Sequence, residues 1–256
     1  MSQAVGHIFG ARVEDFTKAH QGASDQLEKT LKRYCRNIRP GQPIIIEGDK
    51  TNSVTCVLGG WLSLSKSLPD GESQIVDLAL QGEIIEAGGP VSSVTIEAVS
   101  QASVALVPVA TWDAIKLQRP DLDRISKAIR AASRSRMAER MLRLGRGRAA
   151  MRMAYALLEL NVRLEALGQA HEGKYYIPMN QRILGDFVGL SSVHVCRTLG
   201  CLVSDGIIKV AGQMDIEILD FDALSEIAGV DLIGLQREII LQGDDMTTAQ
   251  PYAAFA

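Results

Sequence analysis

Short runs of apolar and β-branched residues between residues 38 and 110 predict β-strands. They recur at about ten-residue spacing and are separated by turn-forming stretches such as Gly-Gly and Pro-Asp-Gly. Residues 68–72, Leu-Pro-Asp-Gly-Glu, are typical of a tight hairpin, because Pro69 presets φ and Gly71 can take a positive φ. The pattern favours an antiparallel β-roll or sandwich, preceded by a helical segment at about residues 24–36.

The hydrophobic period changes after Pro120, a residue suited to the first turn of a helix. From there an apolar stripe follows the 3.6-residue period of a helix over about six turns. Its members are Leu122, Ile125, Ile129, Ala132, Met137, Met141 and Leu144. So long a helix with so narrow a stripe is typical of a dimer interface; the alternative is that it packs back on its own β domain. Gly-Arg-Gly at residues 145–147 is the expected helix end and hinge.

The pattern after the hinge predicts a winged helix-turn-helix. Residues 149–167 are amphipathic with a helical period, and a short strand at 174–178 follows. Two short helices, near 180–187 and at about 192–204, flank a turn at Gly189. Two strands, at 206–210 and 215–219, come next across a turn. Two helices across a glycine-containing turn, followed by a two-stranded wing, are typical of this motif.

Composition is that of an ordinary globular protein large enough for two compact domains. The chain has 256 residues, 46% hydrophobic and 22% charged, and no apolar run approaches the roughly 20 residues that span a bilayer. Its four dispersed cysteines fit reduced thiols better than a disulfide framework. We therefore expect a cytoplasmic protein that does not contact a membrane.

Charge is unevenly distributed, although the net charge is only −3. Residues 130–152 contain eight arginines and one acid, Glu139. Such a segment can steer a polyanion; the alternative is the solvated face of a long helix.

The predicted second helix of the motif contains His194, Cys196 and Cys201, which raises the question of a metal centre. At about 100° per residue on a helix, the side chains of Cys196 and Cys201, and those of His194 and Cys196, point more than about 130° apart. His194 and Cys201 share a face, but the seven positions that separate them correspond to about 10.5 Å of helix rise. No pair of these side chains chelates one ion, so we expect no metal and no cofactor.

The same helix has the pattern of a DNA-recognition helix. Val195, Leu199 and Leu202 share a core face, and the opposite face, termed here the reading face, contains Val193, Cys196, Arg197 and Gly200. Ser191 can cap the helix, whose N-terminus suits a DNA phosphate. Arg197 has the bidentate geometry that reads guanine in a major groove.

These elements, in this order, resemble the Crp/Fnr family of bacterial transcription regulators. The resemblance covers roughly residues 35–228 and rests on stretches such as IRPGQPIIIEGD, VLGGWLSLSKSLPDGESQIVDLALQGE and NQRILGDFVGLSSVHVCRTLGCLVSDGIIKV. It implies an α+β fold with an antiparallel β-roll at residues 1–118, a dimerisation helix at 119–145, a winged helix-turn-helix at 146–230 and a C-terminal helix and tail at 231–256. It also implies a homodimer, formed through helix 119–145, that binds inverted-repeat double-stranded DNA and acts with RNA polymerase.

Departures from the family pattern argue against cyclic AMP as the effector. The Gly-Glu pair of nucleotide-binding members is kept as Gly82 and Glu83, but Ser92 and Ser93 stand where an arginine would bind the phosphate. Met137 and Ala138 replace the polar residues that would meet the adenine. The effector pocket implied by the resemblance comprises Gly82, Glu83, Ser92, Ser93 and Ser133. A different small-molecule effector and an effector-independent regulator both stay open, whereas an N-terminal iron–sulfur cluster is excluded because the first 34 residues contain no cysteine.

Some of the DNA-facing residues implied by the resemblance also depart from the family pattern. They are Gln181, Ser191, Ser192, Val193, His194, Cys196, Arg197 and Gly200. Where family members commonly have a glutamate that accepts from cytosine, Val193 can only touch a thymine methyl, so we expect an altered half-site. Cys196 is either a small residue that allows close approach to DNA or an oxidisable thiol that switches binding.

Two other classes of function compete with a DNA-binding regulator. The first is an effector-binding module whose degenerate DNA motif acts through protein partners, an interpretation that Val193 and Gly200 favour. The second is an enzyme on a cupin-like barrel, which normally requires a histidine-rich metal set; residues 38–110 contain no histidine. We therefore expect no enzymatic activity and no catalytic residue.

Overall fold

The N-terminal half of the molecule is an antiparallel β-roll. The computed structural model describes residues 27, 29–86 and 89–240; the predictions for residues 1–26 and for the tail after residue 240 lie outside them. The strands are β1 (Cys35–Ile38), β2 (Pro43–Ile45), β3 (Ser53–Gly59), β4 (Leu62–Ser67), β5 (Ser73–Ala79), β6 (Ile84–Ile85), β7 (Thr95–Ala98) and β8 (Ala102–Pro108). They form two four-stranded sheets, in the orders β1-β8-β3-β6 and β2-β7-β4-β5.

The hairpin predicted at residues 68–72 is confirmed. It joins β4 to β5, the Gly71 amide donates to the Leu68 carbonyl at 3.0 Å, and Gly71 has a φ of 89°. The extent of the first helical segment was wrong, because its last residues form β1. That strand pairs with β8, in a register that sets Cys35 opposite Ala105, and a pairing partner so distant along the chain leaves no local signal.

A long helix connects the β-roll to the C-terminal half. Three helices follow β8: α1 (Val109–Gln118), which the sequence pattern did not reveal, α2 (Pro120–Arg146) and α3 (Ala149–Ala166). Pro120 occupies the first turn of α2, as expected. The helix ends before Gly147, where a Cβ would lie 2.7 Å from the Arg143 carbonyl oxygen, so glycine permits the close turn into α3.

The apolar stripe of α2 divides into two parts that face different surroundings. Leu122, Ile125, Ile129 and Ala132 are buried, and the first three pack in one cluster with strands of the β-roll. For this half, packing on its own β domain is the correct alternative. Farther along the helix, Met141 is 72% exposed, and the buried positions there are arginines.

The C-terminal half is a winged helix-turn-helix, as predicted. Its elements are β9 (Lys174–Tyr176), α4 (Gln181–Val188), α5 (Ser192–Ser204), β10 (Ile208–Ala211), β11 (Asp215–Ile218), α6 (Phe221–Ala228) and α7 (Leu232–Ile239). The wing has three strands rather than two, because β9 pairs with β11. Helix α7 packs against α2 and α3 and buries Leu235 and Ile239. We call residues 149–240 the C-terminal unit.

No single helix in the part of the chain that the structure describes is long and apolar enough to cross a membrane. Helices α4 and α5 reach that length and hydropathy only when they are taken together, across a 90° bend.

Candidate nucleic-acid interface and effector cavity

Helix α5 is held in place by its core face and by a defined turn. Val195, Leu199 and Leu202 are buried, as predicted. The turn from α4 uses Gly189 at a φ of 68°. Gly185 lies under the same turn, where a Cβ would meet the Leu190 carbonyl oxygen at 2.3 Å. Tight packing at this turn therefore fixes the orientation of α5 relative to α4.

The N-terminus of α5 is capped as expected. The Ser191 hydroxyl accepts from the His194 backbone amide at 3.4 Å and is 3.0 Å from Nδ1 of the His194 ring. The cap satisfies one of the amides at this end of the helix and leaves its others directed at solvent. The His194 ring is thereby held at the helix N-terminus.

All the residues predicted to face DNA are exposed. They are Gln181, Ser191, Ser192, Val193, His194, Cys196, Arg197 and Gly200. Val193 is 66% exposed although it is a large apolar residue. Gly200 has open space around it, with nothing within 4 Å of the point that a Cβ would occupy. The reading face is thus a shallow, weakly polar surface whose single charged side chain is Arg197.

The sequence favours packed positions for Cys56 and Cys201 as small residues, and for Cys201 this expectation is wrong. Cys56 is buried, and burial raises the pKa of its thiol. Cys201 is exposed, because the residue after it, Leu202, takes the core-facing position on α5. Cys196 and Cys201 are therefore both accessible thiols on one helix, but only Cys196 belongs to the reading face.

Much of the arginine-rich segment is internal rather than solvated or DNA-facing. Arg136, Arg140 and Arg143 are buried against partners of the same chain. Arg143 donates to Glu139 at 2.6 Å and to the Ala228 carbonyl at 3.1 Å. The sequence pattern hid this, because the main acceptors come from distant parts of the chain.

Arg152 likewise acts inside the molecule. Its guanidinium donates to the carbonyls of Leu144 at 2.8 Å, Gly147 at 3.0 Å and Gly189 at 3.1 Å. It therefore satisfies the carbonyls at the C-terminal end of α2 and ties that end to the turn between α4 and α5. Arg146 and Arg148 at the hinge are exposed.

A cavity of about 230 Å³ lies between the β-roll and α2. Four of the five residues expected in an effector pocket line it: Glu83, Ser92, Ser93 and Ser133. Gly82 is not part of the lining; at a φ of 93° it forms a turn, and its amide donates to the Val57 carbonyl. Most of the remaining wall is aliphatic, from residues such as Ile45, Leu64, Val76, Ile84, Ile96 and Ile129.

The polar floor of the cavity is already paired within the protein. Asp77 accepts from Nη2 and Nε of Arg136 at 2.9 and 3.3 Å and from the Ser133 hydroxyl at 2.7 Å. Burial alone would raise the pKa of Asp77, but the guanidiniums of Arg136, Arg140 and Arg163 hold that pKa well below its ordinary value. Sequence reasoning missed Asp77, although an acid inside the apolar run Ile-Val-Asp-Leu-Ala-Leu signals a buried partner.

Arginines from α2 also line the cavity, which the sequence pattern did not indicate. Arg130 lies 3.2 Å from Glu86, which also accepts from the Trp112 indole at 2.9 Å. Arg134 is exposed at the cavity and has no acidic partner among the residues that the structure describes. The Ser92 hydroxyl donates to the Val94 carbonyl at 2.6 Å and is therefore engaged locally.

Comparisons with known proteins agree with this architecture. Residues 35–118 match the family model of the cyclic nucleotide-binding domain, and residues 151–227 match that of the Crp-like helix-turn-helix domain. The chain is 34% identical over 175 residues to the nitrogen fixation regulation protein FixK of Bradyrhizobium diazoefficiens, covering 66% of this chain and 72% of that protein. It is 27% identical over 208 residues to the transcriptional activator protein FnrA of Stutzerimonas stutzeri, covering 80% and 84%. The solved structure of FixK2 from Bradyrhizobium japonicum matches with a TM-score of 0.70 at 28% identity, covering 77% of this chain and 98% of that one.

Proposed function

The chain belongs to the Crp/Fnr family of DNA-binding transcription regulators, and from that premise we propose that it is a homodimer whose two α5 helices read an inverted-repeat site. The observation that carries the proposal is the exposed reading face of α5 on a fully packed core face. In a dimer the two helices would enter successive major grooves about 34–36 Å apart. The proposal includes a cytoplasmic location and action together with RNA polymerase, in keeping with the family resemblance.

Each residue of the reading face has a proposed role. Arg197 binds guanine N7 and O6 with both arms of its guanidinium. Val193 contacts a thymine methyl, and Gly200 allows the DNA backbone to approach closely. Ser191, Ser192, His194 and Gln181 contact phosphates around the N-termini of α4 and α5.

Exposed apolar residues on the second half of α2 support the dimer. Met141 and Leu142 are 72% and 57% exposed, and Met137 lies one turn earlier. These side chains lie away from the buried positions Arg136, Arg140 and Arg143 on the same helix. One face of α2 therefore serves its own chain while the other is available to the partner.

We further propose that cyclic AMP is not the effector. The loop containing Ser92 and Ser93 offers no guanidinium to a phosphate, and Ser92 is engaged by Val94. Glu83, which the family pattern assigns to the nucleotide, is already paired with arginines of this chain. Isothermal titration of the protein with cyclic AMP should give no binding heat at ligand concentrations up to the millimolar range.

The test of the DNA proposal is selection of bound sequences from a library with randomised half-sites. We expect an inverted repeat with guanine opposite Arg197 and a T·A pair at the position of Val193. Arg197→Ala should weaken binding to the selected site by about 10- to 100-fold. Arg237→Ala, which removes an exposed charge on α7, is the matched control and should leave the affinity unchanged.

A variant at Val193 tests whether α5 reads DNA bases or, as in the rival hypothesis, acts through protein partners. If α5 reads bases, Val193→Glu should move the preference at that base pair towards C·G. If no sequence is enriched even at low salt, the module does not read DNA and the protein-partner alternative replaces the proposal.

A further inference from the structure

A set of charges, buried except for the part-exposed Glu83, joins the β-roll, α2 and the C-terminal unit. It consists of three acids and three arginines: Asp77, Glu83, Glu159, Arg136, Arg140 and Arg163. We call this set the interdomain network. Its formal charges cancel, so the buried acids and bases neutralise one another without an external ion.

Within this network, we propose that the ion pair between Glu83 and Arg163 positions the recognition helix, and that Glu83 couples the cavity to that position. The inference rests on the proposed DNA-reading function and adds to it the residues that orient α5. Glu83 lies in the β-roll directly before β6, and Arg163 is on α3, the helix on which α4, α5 and α6 pack.

The geometry makes Glu83 the direct bridge between the cavity and the C-terminal unit. Its carboxylate lies 3.1 Å from Nη2 of Arg136 and 2.9 Å from Nη2 of Arg163. The same Nη2 of Arg163 donates to the Leu78 carbonyl at 2.6 Å. One guanidinium on α3 thus contacts both a backbone and a side-chain acceptor of the β-roll, which fixes its direction.

A second arm of the network aligns α2 with α3. Arg140 donates to both oxygens of Glu159 at 2.8 and 2.9 Å, and Arg163 reaches the same carboxylate at 3.1 Å. Glu159 is fully buried. Because each arginine here has at least two acidic partners, a shift of α3 relative to α2 breaks several charge-assisted bonds at once.

Exposure distinguishes Glu83 from the other acids of the network. Its side chain is 20% exposed and lines the cavity, whereas those of Asp77 and Glu159 are 3% and 0% exposed. A molecule in the cavity that competes for the Glu83 carboxylate would therefore weaken the ion pair between Glu83 of the β-roll and Arg163 of α3. Without such a molecule, the ion pair stays intact and, together with the second arm of the network, maintains the orientation of the C-terminal unit.

The remaining contacts between these units are an apolar interface, where Trp61, Ile75, Leu78 and Leu80 of the β-roll share one buried cluster with α3 and α4, and uncharged hydrogen bonds. Gln74 on β5 donates to the Asp186 carbonyl at 2.6 Å, beside the turn between α4 and α5, and Gln169 donates to Gln81 at 3.0 Å. These contacts bring the surfaces together but carry no charge, whereas the charge-assisted bonds of the network are directional and add to them.

The experiment compares Glu83→Gln with the wild type in two independent measurements. The first is the rate of tryptic cleavage after Arg146 and Arg148 at the hinge, followed by mass spectrometry in the absence of DNA. The second is affinity for the selected half-site repeat, measured by fluorescence anisotropy. We expect hinge cleavage to rise and DNA affinity to fall, each by about 3- to 30-fold, because the C-terminal unit loses its preorganised direction.

Controls distinguish positioning from general loss of stability. Asp121→Asn removes a part-buried pair with Arg119, 2.7 Å long, that stays within neighbouring residues, and it should change neither measurement. In an Arg163→Gln background, Glu83→Gln should have little further effect, as expected for coupled residues. If Arg163→Gln does not fold, Arg163→Lys serves for the comparison, because lysine keeps the charge but loses the planar fork.

Three results would overturn the inference: unchanged hinge cleavage in Glu83→Gln, effects of Glu83→Gln and Arg163→Gln that simply add, or a rise in DNA affinity. Because hinge cleavage requires no DNA, a wild-type protein that fails to bind DNA overturns the proposed function and leaves this measurement intact.

Discussion

At the scale of single residues, the two accessible thiols of α5 provide a paired test of redox control. Both are exposed, but only Cys196 lies beside Arg197 on the reading face. We propose that oxidation of Cys196 to a charged or bulky adduct blocks DNA binding by steric hindrance and negative charge. Oxidation of Cys201, which is off that face, should not.

Peroxide treatment of single variants tests this proposal. Wild type and Cys201→Ser should each lose DNA affinity by at least about tenfold, and Cys196→Ser should keep it. Anisotropy before and after treatment, with the adducts located by mass spectrometry, provides the measurement. Equal loss in Cys196→Ser and wild type would leave Cys196 as a small residue that only permits close approach.

At the scale of elements, α2 shows which structural features the sequence pattern predicts and which it does not. Its start at Pro120 and its apolar stripe were readable locally, because helical period and proline preference act over a few residues. Which part of the stripe packs on the chain itself depends on contacts with the β-roll. The buried arginines illustrate this, since Arg136 finds Asp77 59 residues earlier in the chain.

The same dependence on contacts between distant parts of the chain explains which features near the site sequence reasoning did not find. Strand β1 was hidden within a helical pattern, and the partners of Asp77 could not be named from the sequence, because they lie on distant helices. By contrast, the helix-turn-helix was predictable to within a residue or two, because its caps at Asn180 and Ser191 and its turn at Gly189 are local.

The exposed half of α2 yields a prediction about assembly. Met141→Glu places a carboxylate in the proposed apolar dimer interface, where no described residue of this chain is its partner, and an unpaired buried charge is strongly unfavourable. The dimer dissociation constant should rise by at least about tenfold. Sedimentation velocity over a concentration series measures it.

Leu117→Glu is the matched control for that variant. Leu117 is 84% exposed at the end of α1, outside α2, and its replacement should leave the dimer intact. A monomeric wild type, or equal dissociation in both variants, would remove α2 as the interface.

At the scale of the whole molecule, the interdomain network links stability to pH. Asp77→Asn leaves the Arg136 guanidinium buried with a weakened partner, which should lower the free energy of unfolding by about 3 kcal/mol at pH 7. Asp123→Asn removes only the exposed pair with Lys127 and should change it by less than about 0.5 kcal/mol. Urea unfolding of the three proteins gives these values.

The pH dependence of that difference follows from the lowered pKa of Asp77. When the pH falls below 3.8, the ordinary pKa of an aspartate, Asp77 stays ionised in the folded protein. In the unfolded chain the same carboxylate becomes protonated at that pH. The stabilisation is therefore complete above about pH 5 and is lost progressively as the pH falls below it. The gap between wild type and Asp77→Asn should narrow between pH 5 and about pH 3; a constant gap would mean that the ionised carboxylate is not what stabilises the fold.

The internal use of arginine also determines how DNA binding should respond to salt. With Arg136, Arg140, Arg143, Arg152 and Arg163 engaged inside the chain, the cations near the reading face are Arg182, Arg197 and Lys209. Because Arg197 is assigned to guanine, Arg182 and Lys209 in each of two subunits, at about 0.9 per phosphate contact, give a slope of about −4 for log K against log salt. A slope near −10 would require the arginine-rich segment to contact the DNA.

A single substitution checks the assignment of these charges. Arg182→Ala removes one cation from each subunit and should reduce the magnitude of the slope by about 2, whereas Arg36→Ala, on β1 of the β-roll, should leave it unchanged. Anisotropy titrations between 50 and 200 mM salt, roughly the range over which counterion release is measured, give both slopes. If the slope is steep in all three proteins, exposed arginines of the arginine-rich segment, such as Arg146 and Arg148 at the hinge, must contact the phosphates as well.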